Sequence, residues 1–458
     1  MSGTPSIVPA PSNEVARVIQ SRLDTALPLG RSADDFNTRY CRALVFVLVG
    51  YAVIGKSFAY VGIPPLFVGE MALAGGLIAL LRSGCWLAIL ATPASRMLIV
   101  LMGWVLIRTV PYVGPYGMDA PRDSVLALYG LFALIVVALL LEEPGRFTRA
   151  VDAYGRFARF YALAGGIVFG LSSALLKIPG TEIQIPNVRA GEAASHLAGI
   201  AVFVMLGLGR FSRLWIAVLM ASMIVVTSSR GAMLTCLVPV VVAAVAGRRL
   251  RQFLPIVLVF LAAAIIATVF DLSIQLPGNE RATGPKQLVE GLKSVVGASE
   301  TSNFEATKEF RLRWWATIQD YTLRGPYFWT GKGFGVNIAL EDGYKQWVTA
   351  DSVLRSPHNV NMTYLARSGV PGLALWLGVL VTWFTMLFHS LLWARRRGEE
   401  HWAKLFIWIA CYGLGIVVDA SFDVALEGPM LGIWFWCVFG FGIGASMIFR
   451  SPLGRSFT

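Results

Sequence analysis

The sequence predicts an all-α polytopic membrane protein with about twelve transmembrane helices and one large outer-side loop containing short helices. Three observations carry this reading. The 458 residues are 56% hydrophobic and 14% charged, with a mean hydropathy of +0.64, whereas a soluble domain is nearer ~25% charged. Apolar runs recur along the chain, most of them close to the ~20 residues a helix needs to cross ~30 Å of hydrocarbon. Arginines gather in alternate connections, which is the positive-inside pattern of a multi-pass chain.

Residues 1–40 are polar, rich in Pro, Ser and Arg, and lack the apolar core of a cleavable signal, so they are expected to form a cytoplasmic tail. An N-terminal transmembrane bundle follows over 41–272, with apolar runs at 43–62, 63–81, 97–113, 124–141, 159–176, 195–209, 212–228, 231–247 and 253–271. The runs at 195–209, 212–228 and 231–247 are short for a span. Residues 273–357 form the large loop, and 358–450 hold three more runs at 367–392, 403–420 and 429–449. Residues 451–458 close the chain as a second cytoplasmic tail. Arg39 with Arg42, Arg82 with Arg96, Arg146 to Arg159, Arg210 with Arg213, Arg248 to Arg251, Arg395 to Arg397 and Arg450 with Arg455 alternate consistently if both termini are cytoplasmic. The net charge of +12 is thereby assigned to topology, and nucleic acid is a poor partner. The 5 Cys, at 41, 85, 236, 411 and 437, lie in or beside apolar runs, so neither a disulfide framework nor CxxC metal spacing is present.

The loop has structure signals of its own. Over Glu305–Leu323, Phe310, Trp314, Ile318 and Tyr321 fall on one stripe of an amphipathic helix, which would suit a membrane interface. Gly325-Pro326 ends it, and Gly331-Lys-Gly-Phe-Gly335 reads as a turn. That glycine turn lacks the spacing and the Ser/Thr of a phosphate-binding Walker loop, and the loop has no DxD pair to hold a metal against a diphosphate. Metal-free, nucleotide-free chemistry is favoured, with no cofactor.

The informative residues are those that break the surrounding pattern. His358 ends the polar loop in Arg355-Ser-Pro-His-Asn359, where a near-neutral imidazole can accept a proton from a hydroxyl. An isolated histidine there is more often an interfacial ring bonded to a backbone carbonyl. Asn359 reads equally as a helix cap. Arg189, Arg230, Arg311 and Arg313 lie on the expected outer face against the charge rule. A guanidinium matches phosphate oxygens bidentately, although a single outer arginine is more often a snorkelling or salt-bridged one. Arg230 stands out because it sits in a tight turn between apolar runs with no carboxylate near it in sequence. Asp423 and Glu427 are carboxylates placed to orient His358 or to balance the arginines.

These residues resemble a known family. His358-Asn359, Tyr364-Leu365 and Gly369-Val-Pro-Gly372 after a large loop are similar to the signature of the O-antigen ligase and polymerase superfamily. So are Thr227-Ser-Ser-Arg-Gly-Ala232, Arg311-Leu-Arg-Trp-Trp315 and Asp423-Val-Ala-Leu-Glu-Gly-Pro429. The resemblance implies a metal-independent, inverting glycosyltransferase in the bacterial inner membrane, its active site facing the periplasm. It would move a glycan from undecaprenyl diphosphate to an acceptor hydroxyl. By carry-over His358 is the general base, Arg189 and Arg230 bind the donor diphosphate, and Arg311 or Arg313 assists from the loop helix. Asn359, Asp423 and Glu427 support. The partners implied are the lipid-linked donor, a lipid A–core or glycan acceptor, and membrane lipid. A ligase is preferred to a polymerase of the same superfamily. A transporter or flippase is the rival of another class, but it would need matched broken helices at mid-membrane depth, which the apolar runs do not show.

Overall fold

The computed structural model describes residues 36–171, 184–227, 229–248, 302–344, 347–349 and 352–451. The run at 253–271, most of both terminal tails and the first part of the large loop lie outside the described residues. The first half of the chain holds α1 (Phe36–Ile54), α2 (Val68–Arg82), α3 (Pro93–Tyr116), α4 (Asp119–Leu128), α5 (Leu131–Glu142) and α6 (Gly145–Leu171). Then come α7 (Ala190–Met205), α8 (Arg213–Val226), α9 (Arg230–Ala246) and the loop helix α10 (Ser302–Gln319). The chain continues through α11 (Val360–Arg396), α12 (Glu400–Ala420) and α13 (Pro429–Arg450). The described strands make two short antiparallel hairpins, Gly62–Ile63 with Leu66–Phe67 and Trp347–Thr349 with Ser352–Val353.

Every apolar run within the described residues falls largely on a helix, yet fewer helices can span a bilayer than the twelve expected. Among the described residues α1, α3, α11, α12 and α13 are long and apolar enough, and α4 with α5 makes a sixth if the pair, bent by 41°, counts as one. The reason is length and charge. Helices α2, α7, α8 and α9 have 14 to 17 residues, reaching only ~21–26 Å at ~1.5 Å per residue. Helix α6 is long enough at 27 residues but carries Arg146, Arg149, Asp152, Arg156 and Arg159.

The core is formed where the later helices meet the earlier ones. Helix α13 packs on α5, α12 on α7 and α9, and α11 on α3 and α12. Trp376, Trp383, Trp402 and Trp436 are fully buried there. A buried indole N–H needs an acceptor, and Trp383 Nε1 donates to the Phe439 carbonyl across the α11–α13 contact at 2.9 Å.

Helix α11 has 37 residues but is not continuous. Gly369 has φ 70° and ψ −172°, and Pro371 lacks an N–H, so the ladder is broken over one turn. Four backbone groups around the break find partners outside the helix. Val370 N–H donates to Phe328 O at 2.8 Å. Ala366 O accepts from Lys332 N–H at 2.7 Å and Arg367 O from Gly333 N–H at 3.0 Å. Trp104 Nε1 donates to Ser368 O at 3.1 Å. Only glycine suits position 369, because a Cβ would lie 2.5 Å from Phe328 O in a left-handed backbone. The glycine turn 331–335 is therefore the part of the loop that docks on the broken helix.

The rest of the loop builds its own small core. Trp314 and Ile318 of α10 are buried with Ile338, Ala339, Leu354, Leu365 and Ala366, and Phe310 and Tyr321 pack at the edge. The aromatic stripe expected at a membrane interface is thus turned inward against the loop and α11. Burial on protein leaves that face unavailable to lipid. Helix α10 ends in a π-helical turn, Asp320–Arg324, before Gly325. Asp342 anchors the structure by accepting from Trp314 Nε1 at 2.7 Å and pairing with Lys332 Nζ at 2.5 Å.

Candidate functional site

The loop meets α11 at Ser356-Pro-His-Asn359, and local chemistry fixes each side chain there. Asn359 is the N-cap of α11, its Oδ1 accepting from Asn361 N at 2.9 Å and Met362 N at 3.2 Å. Its Nδ2 donates to Ser421 O at 3.0 Å, tying the helix start to the turn after α12. One cap residue thereby serves two elements. His358 has φ 53°, a left-handed conformation uncommon outside glycine and asparagine. The conformation is held on both sides, by the Asn359 cap and by Trp315 Nε1, which donates to Pro357 O at 2.9 Å.

So presented, His358 Nδ1 lies 3.0 Å from Asp423 Oδ1. An ionised carboxylate only accepts, so Nδ1 carries the proton of this bond, and in the neutral ring the lone pair is then on Nε2. The His358 side chain keeps 25% of its surface exposed. The same Asp423 oxygen takes Arg189 Nη1 at 3.3 Å and Val424 N–H at 2.8 Å. Burial would raise the Asp423 carboxyl, but the hydrogen bond from His358 and the charge of Arg189 outweigh it and hold it well below the usual carboxylate range.

The other expected residues fall into three groups. Arg311 Nη1 donates to Phe422 O at 2.8 Å, which brings the loop helix onto the residue before Asp423. Arg230 opens α9, and its neighbour Gly231 lies against Phe422, so that helix start faces the same turn. Glu427 supports from below, its Oε1 accepting from Thr363 Oγ1 at 2.8 Å and Ser356 Oγ at 2.5 Å on either side of the histidine. Arg313 is not part of the cluster. It points to solvent, 72% exposed, and pairs with Glu309 of its own helix. No group of three or more His, Cys, Asp and Glu side chains among the described residues is arranged to hold a metal.

Two further sets of residues frame this site. The first is Trp315, whose indole N–H holds the Pro357 carbonyl. The second is an ionic network behind the loop. Arg367 of α11, 2% exposed, pairs with Asp123 Oδ2 of α4 at 3.0 Å. Arg355 reaches the same oxygen at 3.2 Å, Asp119 at 3.3 Å and Gly335 O at 3.0 Å. Gly335 N–H also donates to Asp123 Oδ2 at 3.1 Å. An arginine at the start of an apolar run is the one sequence signal that pointed to Arg367. His196 is buried in the bundle, with Nδ1 2.7 Å from Tyr412 Oη and its ring 4.5 Å from that of Trp434.

Helices of membrane-spanning length carry at one end of the bundle a histidine–carboxylate pair, with Arg189 on the carboxylate and Arg311 on the residue before it. Residues 215–377 match the family model described as O-antigen ligase, which supports the O-antigen ligase and polymerase superfamily of glycosyltransferases. The matched stretch holds Arg230, Arg311, Arg313, His358 and Asn359, while Arg189, Asp423 and Glu427 lie outside it. No curated protein matches the chain.

Proposed function

We propose that the protein transfers a glycan from undecaprenyl diphosphate to an acceptor hydroxyl at the periplasmic face of the inner membrane, without metal and with inversion at the anomeric carbon. The observation that supports this most is the shared Asp423 oxygen, with His358 on one side and Arg189 on the other. Asp423 holds the histidine in the tautomer whose Nε2 takes the acceptor proton. The acceptor oxygen then bonds the anomeric carbon as the bond to the diphosphate oxygen breaks, and that oxygen leaves with the electron pair. Arg189, Arg230 and Arg311 surround the turn where this charge would collect and stabilise it. A lipid diphosphate is a good leaving group, so the residues present meet the chemical need. Basic residues concentrated at the opposite end of the helices support the periplasmic orientation.

The acceptor proposed is lipid A–core, which makes the protein a ligase. The experiment is transfer in membranes supplied with undecaprenyl-diphosphate glycan, with lipid A–core and a lipid-linked repeat unit offered as alternative acceptors. Glycan on lipid A–core is expected, and elongated repeat units would make it a polymerase. In the same assay His358→Ala should lose ~10²–10⁴-fold of the rate at unchanged expression. Retained activity would remove His358 as the base.

A further inference from the structure

At the end of the bundle away from His358 the helices line a cavity of about 1160 Å³, larger than the ~300–1,000 Å³ of an ordinary small-molecule pocket. Helix α1 relates the two ends. Its last turn continues to Gly55, which bridges to Asn187, two residues from Arg189. Its first turns, carrying Thr38 and Arg42, line the cavity mouth. The 19 residues of α1 therefore separate cavity mouth and candidate site by ~28 Å.

The cavity is amphiphilic by layer. Its walls are apolar, with Leu48 of α1, Leu140 of α5 and Phe441 of α13 among them. Its mouth carries five arginines against two glutamates. Arg146 and Arg149 are matched by those glutamates: Arg146 lies 2.5 Å from Glu142 and 3.1 Å from Glu143, and Arg149 lies 2.6 Å from Glu143. Arg42, Arg82 and Arg156 have no carboxylate partner among the described residues, and Arg82 rests over the Phe36 ring at 5.2 Å. The positive-inside bias explains why arginines are at this end. It does not explain why three of them rim a deep apolar cavity.

We propose that this cavity is a binding site for an anionic glycerophospholipid, with its phosphate on Arg42, Arg82 and Arg156 and its acyl chains along Leu48, Leu140 and Phe441. The charge of the rim and the hydrocarbon character of the walls match the two ends of that molecule. A zwitterionic lipid would fill the walls equally but set its own cation against the arginines. The site is independent of the glycan-transfer reading, because none of its residues touches the His358 cluster.

The test uses the full-length protein, delipidated in detergent and equilibrated with equal phosphatidylglycerol and phosphatidylcholine, with retained lipid counted by native mass spectrometry. Phosphatidylglycerol should be retained about tenfold over phosphatidylcholine. Arg42→Gln/Arg82→Gln/Arg156→Gln should abolish that preference, and these exposed positions leave the fold intact. Arg210→Gln/Arg213→Gln removes charge from the same end without touching the cavity and should retain the preference. Equal retention of both lipids, or loss of preference in the Arg210/Arg213 control, would overturn the site. Displacement of phosphatidylglycerol by inorganic phosphate alone would reduce it to a plain anion site. Displacement by undecaprenyl phosphate at lower concentration would reassign it to a polyprenyl lipid. Either result overturns the proposal.

Discussion

His358 and Asp423 are held by opposite means. The histidine occupies a backbone conformation that a β-substituted residue adopts at a cost of ~1–3 kcal/mol, held there by the Asn359 cap and the Trp315 bond. The aspartate is held by charge. Asp423→Asn keeps the shape but allows the amide to donate, so the histidine tautomer is no longer fixed, and transfer should fall ~10²-fold or more in the two-acceptor assay. The pH dependence follows from the depressed Asp423 carboxyl. A carboxyl whose folded value lies below its unfolded value of ~4 contributes stability above that value and loses it as pH falls through the folded one. The thermal stability advantage of the native protein over Asp423→Asn should accordingly persist from pH ~7 to ~5 and disappear only below ~4. Convergence of the two melting curves by pH ~5 would show that Asp423 is not held ionised by its neighbours.

Helix α11 and the loop are coupled through main-chain hydrogen bonds, so mutations in one should be felt in the other. Gly369→Ala places a methyl group 2.5 Å from Phe328 O at a positive φ, which should destabilise by ~1–3 kcal/mol, read as a lowered melting midpoint in detergent. Trp315→Phe keeps the ring but removes the Pro357 contact. It should lower turnover several-fold while leaving donor KM unchanged, since the residue acts on the presentation of His358. Much of this level was legible in the sequence. The spacing of Phe310, Trp314, Ile318 and Tyr321 gave the loop helix its buried face, and Gly325 its end. What covers that face was not legible, because a stripe records that it is apolar and not whether protein or lipid meets it. Likewise Gly369-Val-Pro-Gly372 announces a break, but the groups that satisfy it, at 328, 332 and 333, are a distant part of the chain.

The bundle as a unit is closed by charges that lie far apart in the sequence. Asp123 stands between Arg367 and Arg355, joining α4 to the start of α11 through the glycine turn. Removing one member of a buried ionic group leaves the others uncompensated. Asp123→Ala should therefore cost ~3–5 kcal/mol, and adding Arg367→Met should restore part of it, as read from midpoints of the single and double variants. If the double variant is no more stable than the single one, the pairing with Arg367 is not what Asp123 supplies. Apolar runs made the helical membrane class legible, but among the described residues only five helices, or six with α4 and α5 as one, have the length and composition of a span, because run length does not say where a helix starts and stops. The partnership of residue 123 with residue 367 has no local trace. Arg313 shows the converse error: its motif neighbour Arg311 turns to Phe422 while it turns to solvent, a difference of about two residues' rotation on one helix.

The broken turn at Gly369 also determines how the loop can move. Its root at 328–333 is stitched into the hydrogen-bond ladder of α11 by main-chain groups that have no other partner in a dry environment. Over the histidine, by contrast, helix α10 is fastened by side chains, through the bonds from Arg311 and Trp315 and the burial of Trp314 and Ile318 against Leu365 and Ala366. A cover pinned by main chain at its root and by side chains over the histidine can be loosened by substitution at the second end alone, because main-chain bonds at the first do not depend on side-chain identity.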